Sequence, residues 1–95
     1  MRNSITPNWE KDVEVIDKED TKQPARIILW NDDVNSFDHV IECLQKICNH
    51  SFESAYQCAL IVHNNGKYAV KEGELEKLRP MCLGLLEEKL SAEIA

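Results

Sequence analysis

The sequence reads as one α+β domain of two layers, three strands covered on one face by three helices, in the order β-α-α-β-α-β. Three observations predict it. Short runs that are β-branched, aromatic or alternating in polarity stand at 26–30, 67–72 and 90–95. Apolar stripes at helical spacing lie between them, near 37–48, 52–65 and 74–89. Asn- and Gly-bearing turn signals separate the runs.

Residues 1–24 differ in composition from the rest of the chain. Glu10, Asp12, Glu14, Asp17, Glu19 and Asp20 face only Arg2, Lys11, Lys18 and Lys22, with two prolines. Val13, Val15 and Ile16 are too few to build a core element, so a flexible N-terminal extension with Trp9 as its apolar anchor is expected. The folded domain is then 25–95.

Arg26-Ile27-Ile28-Leu29-Trp30 is the first strand, read as mostly buried. Asn31-Asp32-Asp33 comes next on a loop at its end, where a rigid scaffold commonly presents binding groups. Asn35 is expected to cap the first helix, with Asp38 at its third position in a capping-box arrangement. Phe37, Val40, Ile41, Leu44, Ile47 and Cys48 make one stripe, while Asp38, His39, Glu42, Gln45 and Lys46 face water. Ser51 caps the second helix. Its inner face is Phe52, Ala55, Ala59 and Val62, widened by Cys58, Leu60 and Ile61, which predicts deeper burial than for the first helix. Gly66 ends it in the left-handed position after the helix. Lys67 to Glu72 alternates as a strand. Leu75, Leu78, Met81, Cys82, Leu85 and Leu86 supply the third helix, which Pro80 either kinks or delays to 79–80.

Composition removes several classes of function. The net charge is −6, from 17 acidic and 11 basic residues, with the bases scattered, so neither nucleic acid nor an anionic membrane surface is an expected partner. No run approaches the roughly 20 apolar residues of a membrane span, and none follows Met1-Arg2, so a cytoplasmic protein is expected. Cys43, Cys48, Cys58 and Cys82 form no CxxC pair and read as reduced thiols that behave as small core hydrophobes. A zinc set of Cys43, Cys48 and His50 fits no usual ligand spacing.

The loop acceptors suit a cation or an amine, and equally an Asx turn that satisfies its own backbone. His63, at the end of the second helix, suits a helix C-terminus for electrostatic reasons alone. At these residues a family enters. Leu29-Trp30-Asn31-Asp32-Asp33, the helix with Val40-Ile41 and Leu44-Gln45-Lys46, and Val62-His63-Asn64-Asn65-Gly66-Lys67 together resemble the ClpS adaptors. Those proteins carry N-end-rule substrates to a Clp unfoldase. The resemblance runs from about Ala25 to the C-terminus and implies an antiparallel sheet, a monomer and no catalysis or cofactor. It implies that Asn31, Asp32 and His63 hold the α-ammonium of a substrate's first residue. Asp33 is expected to order the loop through backbone N–H groups, and Lys67 to mark the strand rather than the pocket. For a first side chain of Leu, Phe, Tyr or Trp it implies an apolar pocket of Asn35, Phe37, Ala59, Val62 and Leu90. Partner proteins would be such substrates and the N-terminal domain of a Clp AAA+ unfoldase, docked near Glu74, Glu76 and Lys77.

Two positions depart from the family pattern. Phe37 and Ala59 stand where methionines are common, and the methionine matching Ala59 excludes β-branched side chains. The expected consequence is relaxation toward Ile or Val, or a changed ranking of aromatics, unless Phe37 refills the space. Rival readings are weaker. A general base from His63 with Asp32 or Asp33 lacks a nucleophile, since Cys58 and His63 point to different helix faces. No glycine-rich phosphate loop is present. Asp32, Asp33, His50 and His63 are chemically able to bind metal. The last alternative is an interaction domain of the same fold, of the ribosomal-stalk kind, without N-terminus recognition.

Overall fold

A computed structural model describes residues 24–95; the expected extension at 1–24 lies outside the described residues save for Pro24. The order is β1 (Ala25–Trp30), α1 (Phe37–Cys48), α2 (Phe52–Asn65), β2 (Lys67–Gly73), α3 (Leu75–Glu87) and β3 (Ser91–Ile94). The sheet is antiparallel with β1 in the middle, in the order β2-β1-β3. The expected fold class and element order are those observed.

β1 alternates. Ala25, Ile27 and Leu29 are buried under the helices, whereas Arg26 and Trp30 are exposed. The period-two geometry of a strand therefore corrects the reading of Trp30 as buried. Its ring lies on the open face of the sheet, where Lys67 Nζ sits 4.7 Å from the ring centroid, a cation–π contact across the strand pair. β2 carries one extra residue, because Ile27 pairs with Lys71 and Ile28 with Ala69. His50 Nε2 bonds the carbonyl of that extra residue, Val70, at 2.7 Å, while His50 Nδ1 lies 2.7 Å from Ser54 Oγ.

The core joins Ile27 and Leu29 to Leu44 and Cys48 of α1, Ala55 of α2, Leu78 and Leu85 of α3, and Leu90. Each large aliphatic side chain so removed from water contributes about 1.5–3 kcal/mol. All four cysteines are free and buried within it, as expected of small apolar fillers. Burial raises each thiol above its usual range, Cys48 to about 11.

The helix caps differ in one place from expectation. Ser36, not Asn35, caps α1: its Oγ accepts the His39 N–H at 3.0 Å. Asn35 is drawn instead into a bond with the Lys89 carbonyl, so the helix begins one residue later and Asp38 falls at its second position. Ser51 caps α2 and Gly66 ends it at φ +92°, as expected. Phe52 is exposed rather than inner, stacked on Tyr56 one turn on with ring centroids 6.1 Å apart. It lies in the first turn of α2, and the buried stripe begins only at Ala55. Nor is α2 the deeper helix: α1 buries Ile41, Cys43, Leu44 and Cys48, and α2 buries Ala55, Cys58, Ala59 and Val62. α3 is assigned from Leu75 with Pro80 inside it, which overturns a start at 79–80. Proline removes the donor that would bond the Glu76 carbonyl, and Glu76 is exposed to water that can satisfy it.

Candidate functional site

The end of β1 is tied to the end of α2. Asn31 N–H donates to the Gly66 carbonyl at 2.8 Å, and Gly66 N–H in turn to the Val62 carbonyl at 2.9 Å. This pair of backbone bonds sets the loop that opens at Asn31 beside the last turn of α2, which carries His63.

Asp32 then folds the loop onto itself. Its Oδ1 accepts the backbone N–H groups of Val34 at 2.9 Å and Asn35 at 3.0 Å. Asn35 Nδ2 donates to both carboxylate oxygens, at 3.2 and 3.0 Å, and to the Lys89 carbonyl at 2.9 Å. Ser91 Oγ reaches Oδ2 at 3.5 Å. The Asn35 backbone N–H, foremost among these donors, holds the Asp32 carboxyl below its ordinary value. The backbone-ordering role expected of Asp33 therefore falls to Asp32.

Lys89 adopts a left-handed conformation at φ +73°, unusual for a residue with a Cβ. Its carbonyl meets Asn35, and the next residue, Leu90, donates its N–H to the Leu85 carbonyl at 3.0 Å. The turn so fixed presents Leu90, 4% exposed, to the loop from the far side.

Between these elements lies a cavity of about 470 Å³. Asn31, Asp32, Asn35, Phe37, Ala59, Val62, His63 and Leu90, each singled out in the sequence, all line it. Its size falls in the usual range of small-ligand sites, roughly 300–1,000 Å³. The polar side chains gather at the β1 and α2 ends, with Asn31 and His63 exposed at the surface. Ala59, Val62 and Leu90 are almost fully buried and form its apolar wall. Leu29, Trp30, Asp33 and Val40 complete the lining. Val40 was legible as a neighbour of Phe37 one turn away on α1, a signal read only as core.

Phe37 is half-buried and meets Tyr56 of α2 edge to face, with ring centroids 5.5 Å apart. It also borders a shallow groove with Asp38, Ile41, Glu42, Gln45, Phe52 and Tyr56. The ring is thus a partition between groove and cavity.

The arrangement places oxygen acceptors and an imidazole at one end of an apolar recess. The metal sets around His50 are not gathered among the described residues, where that ring meets Ser54 and Val70 instead. Among the described residues no helix is long and apolar enough to cross a membrane.

Comparisons with known proteins bear on the identity of this cavity. The family model for the ATP-dependent Clp protease adaptor protein ClpS matches residues 20–92. The adapter protein ClpS of Nocardia farcinica is 33% identical over 73 residues, covering 77% of this chain and 67% of that protein. That of Campylobacter jejuni is 46% identical over 41 residues, 43% of each chain. The solved structure of Agrobacterium tumefaciens ClpS2 bound to L-phenylalaninamide aligns with a TM-score of 0.72 at 16% identity, over 78% of this chain and 96% of that one. The chain belongs to the ClpS family of adaptors of the ATP-dependent Clp protease.

Proposed function

We propose that this adaptor binds proteins that begin with a free, large hydrophobic residue (Leu, Phe, Tyr or Trp) and delivers them to a Clp AAA+ unfoldase for degradation. The observation that carries the reading is the meeting of Asn31, Asp32 and His63 with the apolar wall of Phe37, Ala59, Val62 and Leu90 in one cavity. A free α-amino group has a pKa of about 7.7–8 and is largely charged at neutral pH. Burying it without acceptors is costly, so its recognition needs oxygen and nitrogen lone pairs at the cavity mouth. Asn31 offers its amide oxygen. Asp32 offers the Oδ2 side of a carboxylate already ionised and held in place. A neutral His63 offers a ring nitrogen. The first side chain enters the apolar recess, where burial contributes about 1.5–3 kcal/mol. Amine and side chain read together distinguish a protein's start from an internal segment. L-phenylalaninamide, the ligand of the structural neighbour, joins a free amine to a phenyl group and matches both halves of such a site.

On this reading the exposed residues Glu74, Glu76 and Lys77, at the start of α3, are candidates for contact with the unfoldase. Residues 1–24 would assist the handover rather than the capture.

The test is fluorescence polarisation with a labelled peptide beginning with Phe, alongside the same peptide acetylated at its N-terminus. Micromolar or tighter binding that acetylation abolishes is expected. Equal binding of the two peptides, or none, would mean that the fold has kept a partner surface and not this ligand.

A further inference from the structure

A second group of chemically active side chains lies outside the cavity lining. His39 and Cys43 stand one turn apart on α1, and Glu88 meets them from the end of α3. His39 Nε2 lies 3.6 Å from Cys43 Sγ and 3.8 Å from Glu88 Oε1. One donor atom from each residue falls within 4.8 Å of the others, the one such group among the described residues.

These separations are close to the edges of a coordination tetrahedron. With zinc about 2.3 Å from sulfur and about 2.0–2.2 Å from nitrogen or oxygen, ligand atoms in tetrahedral array stand about 3.4–3.6 Å apart. The nitrogen–sulfur and nitrogen–oxygen edges need to shorten by little or nothing. The sulfur–oxygen edge closes by rotation of the Glu88 side chain, which is 53% exposed. The His39 side chain is 33% exposed, so the group has a path to solvent, while Cys43 backs it from the core. The Glu88 carbonyl oxygen, 3.1 Å from His39 Nε2, stands beside the group as a further oxygen donor.

We propose that His39, Cys43 and Glu88 form a site for Zn²⁺ or a similar borderline-soft divalent ion, with water or the Glu88 carbonyl completing the tetrahedron. Thiolate, imidazole and carboxylate are the ligand types such an ion prefers. Binding replaces the Cys43 S–H with an S–Zn bond and releases one proton to solvent, while the His39 ring changes tautomer, its proton leaving Nε2, where it faces the Glu88 carbonyl, for Nδ1. Burial, followed by the charges of Glu88 and Glu42, keeps that thiol protonated in the metal-free protein. The ion would join α1 to the α3 terminus directly before Lys89 and Leu90. It would therefore brace the turn that Asn35 holds from the other side.

Cobalt is the probe, because a Co²⁺–thiolate bond gives charge-transfer absorption and tetrahedral Co²⁺ gives intense visible bands. The full chain titrated with Co²⁺ should develop both at one ion per chain, and Zn²⁺ should displace them. Cys43→Ser should abolish the thiolate band. His39→Ala, at a partly exposed position, should weaken binding at least about 100-fold, beyond the 10- to 100-fold usual for outer partners. Glu88→Gln should weaken it less, and Cys82→Ala should leave it unchanged. Zn²⁺ should raise the melting temperature of the wild-type chain and not of His39→Ala. No thiolate band, or one that survives both His39→Ala and Glu88→Gln, would overturn the site.

Discussion

The polar mouth of the cavity is held by hydrogen bonds to backbone, and the apolar wall by packing. Asp32 is fixed by the N–H groups of Val34 and Asn35, and the Asn31 N–H by the Gly66 carbonyl. These contacts are local or lie at element ends, in water-accessible positions. Leu90, Val62 and Ala59 are instead part of the continuous core that also holds Leu85 and Leu44. The difference teaches that ligand binding and fold stability should separate by residue. Mouth substitutions should cost affinity, and wall substitutions should cost stability first.

The sharpest break in that comparison is Leu90→Ala. It removes a buried side chain and leaves a void against the cavity, so urea unfolding should register a loss of about 2–5 kcal/mol. Binding of a Phe-initiated peptide should weaken as well, because the wall retreats. A loss below about 0.5 kcal/mol, the range of ordinary surface changes, would mean that Leu90 belongs to the mouth and not to the core.

Asn31→Ala, Asp32→Ala and His63→Ala come next. On the proposed function each removes an acceptor for a charged amine, worth about 1.5–3 kcal/mol or roughly 10- to 150-fold in affinity. His63→Ala and Asn31→Ala should leave the unfolding curve in place. Asp32→Ala should lower stability too, by about 1 kcal/mol, since two backbone N–H groups lose their acceptor. Equal stabilities for Asp32→Ala and His63→Ala would count against the loop-tying role. The same carboxylate sets an acid limit. Its pKa is lower in the folded protein, so its contribution is fully present above the ordinary carboxylate value and is lost as pH falls through the lowered one. The stability difference between the wild-type chain and Asp32→Ala, read by urea unfolding, should therefore hold down to the ordinary carboxylate range and shrink only below it.

The elements were legible because each obeys its own period. The Phe37–Val40–Ile41–Leu44 stripe and the Asn64-Asn65-Gly66 stop placed α1 and the end of α2 directly. The cavity was legible through two motifs about thirty residues apart, which the Asn31–Gly66 bond brings together. What escaped depends on partners far along the chain. Asn35 is as good a cap as Ser36 in isolation, and its amide is instead taken up by the Asp32 carboxylate and by the Lys89 carbonyl, 54 residues away. Asp32 and Asp33 are alike in sequence, and only the turn geometry chooses between them. His39 and Cys43 have an i, i+4 spacing that can be read off the chain, but Glu88 joins them only through the packing of α3 against α1. Trp30 was misread by composition, where strict alternation would have sent it outward.

The finest test of the two walls concerns Ala59, the position where the family's methionine would close the cavity against β-branched side chains. Ala59 is 3% exposed, lines the cavity, and on the proposed function would leave that space to the ligand. Phe37 is the residue able to refill it, yet its ring is committed to an edge-to-face contact with Tyr56 and to the outer groove. Such a contact adds about 0.5–1.5 kcal/mol to the ring's present position. A peptide beginning with Ile should accordingly bind within about tenfold of one beginning with Leu, since a misplaced methyl group costs about 1–3 kcal/mol and an open recess keeps it at the low end of that range. Ala59→Met should then widen the Leu-to-Ile ratio by about tenfold at little cost to the Leu peptide. Tyr56→Ala should act in the same direction and more weakly, by releasing Phe37 toward the cavity. A wild-type Leu-to-Ile ratio already above about 100-fold would show that Phe37 closes the recess as the family's methionine does, with the Tyr56 contact as its hinge rather than its anchor.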